Sequence, residues 1–146
     1  EGDFLKNKYE GKGRYTSVKG WSYDGDYKND QYNGYGVYQS EAGSRYEGQW
    51  LNNKKEGKGK FISSKGWTYE GVFKNDQYNG PGILKYVNGD VYDGQWVNDN
   101  KEGRGKFISH EGWSYEGEYS NDQFNGYGIF RFANGNVNRN PVPARL

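Results

Sequence analysis

The chain has 146 residues, a formal net charge of +1, one histidine and no cysteine. That balance offers no global field for nucleic acid or an acidic substrate. The missing cysteine excludes disulfides and thiolate metal sites, and no apolar run approaches the roughly 20 residues of a membrane-spanning helix.

Only 32% of the residues are hydrophobic, yet 18% are aromatic. Disordered chains are poor in aromatics, so rings must carry whatever core exists. From the N-terminus the chain is one pattern written six times at a step of 23 residues, the signature of a repeat architecture. The first copy holds Gly2, Phe4, Gly11, Gly13, Tyr15 and Gly20. It begins one residue too late for a leading tyrosine, so the natural chain is expected to continue N-terminally. The second copy starts at Tyr23 and adds Gly25, Tyr27, Gly34, Gly36, Tyr38 and Gly43. Tyr46, Tyr69, Tyr92 and Tyr115 open the next four, and all 24 glycines fall into four columns of six. Leu84 stands where Tyr15, Tyr38, Phe61, Phe107 and Phe130 carry rings. A seventh copy would begin at 138, where Asn138 replaces tyrosine. The repeats therefore span 1–137, and 138–146 form a non-repeat tail expected to cap the array or dock elsewhere.

Inside each copy the spacing is two. Tyr46, Gly48 and Trp50 share one side of an extended chain and Glu47 and Gln49 the other; Gly57, Gly59 and Phe61 lie together, with Lys58 and Lys60 opposite. Between these strands, "LNNKKE" or "KNDQYN" reads as a polar hairpin loop. The second connection, at Asn88-Gly89, Asn134-Gly135 or Lys65-Gly66, reads as a turn, and Asn-Gly signals a tight hairpin because both its residues tolerate positive φ. Nothing reads as a helix. The expected fold is all-β: an elongated, twisted, single-layer antiparallel meander of about twelve strands. A glycine on the aromatic side opens a slot in which a neighbouring ring lies against backbone.

A second period of 46 residues overlies the first. Odd copies carry "NKKEGKGKFISSKGW" and its kin, ending at Trp21, Trp67 and Trp113; even copies carry "KNDQYNG" or "SNDQFNG". The alternation fits duplication of a two-repeat unit with no function attached, or two rows of loop chemistry that match a partner with its own repeat.

Little points to catalysis. His110 lies in a turn beside "EG", without the second ligand a metal or triad needs. "GKGK" resembles a phosphate-cradling loop but lacks the Ser/Thr and the following helix. "NDQYNG" lacks the acidic spacing and distal Glu of a calcium loop. No catalytic residue, metal site or cofactor is expected, and no nucleic acid.

The pattern "YEGQW…EGKGKF…KG" resembles the MORN (membrane occupation and recognition nexus) repeat over residues 1–137. Many members of that family carry His before the first glycine of the Gly-x-Gly pair; here Glu10, Asn33, Glu56, Asn79, Glu102 and Asn125 stand there, so a role of that histidine does not transfer. The resemblance implies a non-enzymatic scaffold or adaptor in a cytoskeletal or ciliary assembly, cytoplasmic and membrane-apposed in some members. It also admits an accessory domain of a larger enzyme of the lipid-kinase or methyltransferase type.

One sheet has no second layer to cover its rings, so a groove for a helix or extended peptide is expected along Tyr46, Trp50, Phe61, Trp67, Tyr69, Phe73, Tyr92, Trp96, Phe107, Trp113, Tyr115 and Tyr119. Lys54, Lys55, Lys58, Lys60, Lys101, Arg104 and Lys106 are candidate contacts for phosphoinositide or other anionic headgroups. An uncovered N-terminal edge strand would invite self-association.

Overall fold

A computed structural model describes residues 1–5 and 8–139. Among them lie thirteen strands and no helix: β1 (Gly2–Leu5), β2 (Lys8–Thr16), β3 (Ser22–Lys28), β4 (Gln31–Gln39), β5 (Arg45–Leu51), β6 (Lys54–Ile62), β7 (Thr68–Lys74), β8 (Gln77–Lys85), β9 (Val91–Val97), β10 (Asn100–Ile108), β11 (Ser114–Ser120), β12 (Gln123–Arg131) and β13 (Val137–Arg139). They succeed one another in chain order as one open antiparallel meander. The strand beyond the expected twelve is β13, which pairs Asn138 with Phe130 as β5 pairs Tyr46 with Tyr38. Backbone pairing thus outlasts the ring column, because ladder hydrogen bonds need no tyrosine. The expected docking of the tail falls on 140–146, outside the described residues.

The two kinds of turn are the reverse of the expected ones. The tight two-residue turns are Asn29-Asp30, Asn52-Asn53, Asn75-Asp76, Asn98-Asp99 and Asn121-Asp122, with φ of 47–50° at the first residue and 64–70° at the second. Both positions of this turn must be left-handed, which Asn and Asp tolerate best among non-glycine residues. The flanking "KKE" and "QYN" are strand. The glycine turns are wider. Gly43 N donates to Ser40 O and Ser40 N to Ser44 O. At Asn88-Gly89 and Asn134-Gly135 only the glycine has positive φ.

The strands group into two compact units, Glu1–Gln77 and Tyr78–Leu146. In the first, glycines pair across the sheet in a row, Gly13–Gly25–Gly36–Gly48–Gly59–Gly71; beside it runs Tyr15–Tyr23–Tyr38–Tyr46–Phe61–Tyr69. In the second, Gly82–Gly94–Gly105–Gly117–Gly128 runs beside Leu84–Tyr92–Phe107–Tyr115–Phe130. Between β5 and β6 the pairing jumps from Gly48–Gly59 to Trp50–Lys55, leaving two extra residues on β6. Two is even, so the alternation of sides survives the bulge. Gly57, at φ 84°, makes the bend.

Candidate functional site

The opening tyrosine of each copy from the second on is the centre of its packing. Tyr23, Tyr46, Tyr69, Tyr92 and Tyr115 are at most 1% exposed. Each hydroxyl donates to the backbone carbonyl three residues on: Tyr46 to Gln49 at 2.8 Å, Tyr69 to Val72 at 2.9 Å, Tyr92 to Gln95 at 2.9 Å. The ring covers a glycine of its own strand and one of the next: a Cβ on Gly48 would meet the Tyr46 hydroxyl at 2.7 Å, and one on Gly59 would fall onto the same ring. Burial pushes the phenols of Tyr23, Tyr46, Tyr92 and Tyr119 far above their ordinary range, and that of Tyr27 up to about 12.

A second ring packs edge-on against each tyrosine: Tyr46–Trp50 at 5.0 Å, Tyr46–Phe73 at 5.1 Å, Tyr92–Trp96 at 5.0 Å and Tyr92–Tyr119 at 5.1 Å. Trp50 and Trp96 also donate their indole N–H to Gly36 O and Gly82 O. Of the twelve groove residues, Tyr46, Trp50, Tyr69, Phe73, Tyr92, Trp96, Tyr115 and Tyr119 are therefore buried by the chain itself. Flat rings sunk over glycines cover one another without a second layer. Phe61, Trp67, Phe107 and Trp113 are half-buried. They form the outer row: Phe61–Trp67 at 5.1 Å in the first unit, and Tyr86–Phe107–Trp113–Phe130–Phe132 at 4.6–6.1 Å in the second, where Phe130 is buried and Phe132 exposed.

A third ring position lay inside what reads from sequence as loop. Tyr32 stacks on Tyr23 at 3.7 Å, and Phe124 lies 4.1 Å from Tyr115. The same column holds Lys55 and Lys101. The Lys55 ammonium lies 5.5, 5.8 and 5.9 Å from the Tyr46, Trp50 and Phe61 rings and 3.8 Å from Asp76. That of Lys101 lies 5.3–5.6 Å from Tyr86, Tyr92 and Trp96 and 4.0 Å from Asp122. Their side chains are 23% and 14% exposed. These two lysines were expected at headgroups; instead they fill ring sites as caged cations. The 23-residue step carried the signal, since Tyr9, Tyr32, Lys55, Tyr78, Lys101 and Phe124 keep the ring parity.

The remaining basic candidates meet acids or solvent. Lys54 is exposed at a turn. Lys60 lies between Glu47 and Glu70, and Lys106 between Asp93 and Glu116. Arg104 lies 3.5 Å from Glu118, and Lys58 stands opposite Val72. Lys60, Arg104 and Lys106 are thus balanced by acids across the strands.

Within each unit the tight turns are tied to strand residues of the preceding hairpin. Lys55 N donates to Asp76 Oδ1 at 2.8 Å while Asp76 N donates to Lys55 O, and Tyr78 and Asp99 repeat this. Glu10, Glu56 and Glu102 accept from the N–H of Asn29, Asn75 and Asn121. These three glutamates are thus turn caps. His110, an exposed turn residue as expected, has its backbone N 2.8 Å and its Nδ1 2.7 Å from Asp90 Oδ1. Burial would raise the Asp90 carboxyl, but the bonds from His110 and Asn88 outweigh it and hold it below its ordinary value. Among the described residues no group of three His, Cys, Asp or Glu side chains could hold a metal.

The family model described as MORN repeat matches residues 1–22, 23–45, 46–68, 69–91, 92–114 and 115–137. A search of curated proteins finds no match. Among solved structures the chain is similar to a chain described as "SAS-4 (dCPAP) TCP domain in complex with a Proline Rich Motif of Ana2 (dSTIL) of Drosophila Melanogaster". Identity is 15% over 88% of this chain and 89% of that one, with a TM-score of 0.28. At that score the likeness bears on nothing this chain binds.

Proposed function

The chain belongs to the MORN-repeat family, and from that premise and the half-buried outer ring row we propose that it is a non-enzymatic scaffold that holds a helix or extended peptide of a protein partner. The observation that carries this reading is the contrast between two ring populations. The tyrosine centres are sealed, while Phe61, Trp67, Phe107 and Trp113 keep part of their surface in water. Aromatic rings held rigid by their neighbours are good anchors, because they bring large contact area and lose little freedom on binding. The buried eight form the floor that fixes the anchors. We propose a cytoskeletal or ciliary setting, which localising the tagged protein checks.

The test places a photo-crosslinking residue at Trp67 or Trp113 on the ring side and at Glu70 or Glu116 on the charged side, in extract from the native source. One protein species crosslinked from the ring side only, and lost from the Trp113 probe when Trp67→Ala is added, supports the proposal. Crosslinks from the charged side only would sink it. Salt-sensitive binding to vesicles containing phosphoinositide, without any crosslinked protein, would point to the membrane reading. A crosslink to the chain itself would point to self-association.

A further inference from the structure

We propose that Asn134 and Asn88 are sites of spontaneous deamidation, Asn134 first, at which the chain acquires carboxylates in its glycine turns. Five asparagines precede glycine: Asn33, Asn79, Asn88, Asn125 and Asn134. In the reaction the glycine nitrogen gives up its proton and attacks the asparagine Cγ. The Cγ–Nδ2 bond breaks and ammonia leaves. Water then opens the cyclic imide to aspartate, or to isoaspartate when it attacks the main-chain carbonyl. No oxidant or reductant enters. The requirement is that Cγ swing onto the next nitrogen, so local restraint decides the order.

Three of the five lie in strands, and two of them are held there. Asn33 and Asn79 lie in β4 and β8, and Gly34 and Gly80 pair with Trp50 and Trp96. The side chains are engaged too: Asn33 Nδ2 donates to Asn52 Oδ1 at 3.3 Å, and Asn79 Oδ1 accepts from Asn98 N at 3.4 Å. Asn125 lies in β12. Reaching the imide at Asn33 or Asn79 requires sheet opening; Asn125 is exposed in the bulge of β12, where among the described residues neither it nor Gly126 has a register partner, and it stands outside this order. Asn88 and Asn134 are exposed in turns, and their glycines make only the local bonds Gly89 N to Tyr86 O and Gly135 N to Phe132 O. The two turns differ in one respect. Asn88 is held at both ends by Asp90, its Oδ1 accepting from the backbone N at 2.9 Å and its Nδ2 donating to Oδ2 at 3.1 Å, and Asp90 is itself tied to His110. Asn134 accepts from Asn136 N at 2.9 Å, and among the described residues its Nδ2 donates to none.

Conversion at both sites takes the formal net charge from +1 to −1. Isoaspartate at 134 also adds a backbone methylene next to the Arg131–Val137 pair that starts β13. The experiment incubates the chain at mildly alkaline pH and 37 °C, folded and in concentrated urea, and maps tryptic peptides by mass. Isoaspartate is read by the carboxyl-methyltransferase that labels it. Folded protein should convert Asn134 fastest, Asn88 more slowly, and Asn33 and Asn79 at least tenfold slower than Asn134; in urea the five rates should converge. Equal rates in the folded state, or Asn33 converting as fast as Asn134, would overturn the proposal. So would Asn134 staying intact when folded while converting in urea.

Discussion

The ring of Tyr46 occupies the space in which a side chain on Gly59 would have to stand. Gly59→Ala should therefore displace the ring that organises its copy, with a loss of about 3 kcal/mol, at the upper end for overpacking. Gly20 is the control. It has φ 99° but no heavy atom within 4 Å of a built Cβ, so Gly20→Ala should lose only the backbone term, about 1 kcal/mol. Urea titrations of both variants check this; equal losses would refute it.

Two tyrosine hydroxyls predict opposite outcomes. Tyr46→Phe removes a donor to Gln49 O and should destabilise by about 1 kcal/mol. The Tyr119 hydroxyl is buried without a hydrogen-bond partner among the described residues, and Phe73 holds the corresponding place in another copy. Tyr119→Phe should be neutral or stabilising by up to about 1 kcal/mol. Thermal unfolding of the two variants side by side decides.

Lys101 sits in the site that Phe124 fills with a ring in its own copy, so Lys101→Phe should fold and unfold at a temperature no lower than the parent. Lys101→Ala leaves the Tyr92 and Trp96 rings uncovered and should lose about 1–2 kcal/mol. If phenylalanine is worse than alanine, the shared ring site is refuted.

The buried phenols make stability fall at high pH. Their folded values are raised above the ordinary value near 10, so their contribution is complete below pH ~10 and is lost as pH rises through the folded values. Tyrosinate absorbance from this group should appear together with loss of strand circular dichroism. Smooth titration of every tyrosine near pH 10 with the fold intact would contradict the burial.

Asp90 acts at the other end of the scale. Its folded value is depressed, so its contribution is present above the ordinary carboxylate range and lost as pH falls through the folded value. Asp90→Ser, the residue at Ser44 in another copy, should flatten the acid limb of the stability curve. An unchanged limb would show that the His110–Asp90 pair adds nothing.

Most of the strand array was legible because alternation is local. Tyr46, Gly48 and Trp50 share a side in any extended chain, and the glycine slot needs only that glycine has no Cβ. The turns were read in reverse because Asn-Gly and Asn-Asp both admit left-handed residues. Which pair takes two such residues depends on the strand lengths and on caps such as Glu56 and Asp76, which come from neighbouring copies. The groove was read too generously for the same reason. Parity puts Trp50 and Trp67 on one side, but only packing sinks Trp50 to 6% exposure and leaves Trp67 partly in water.

Sequence alone determined the family, the repeat length and the side on which each ring stands, since these follow from spacing along one chain. Tertiary structure decided which rings are sealed, and that Lys55 and Lys101 replace rings. Those outcomes depend on distances between side chains of different strands and copies, which no single copy's spacing contains.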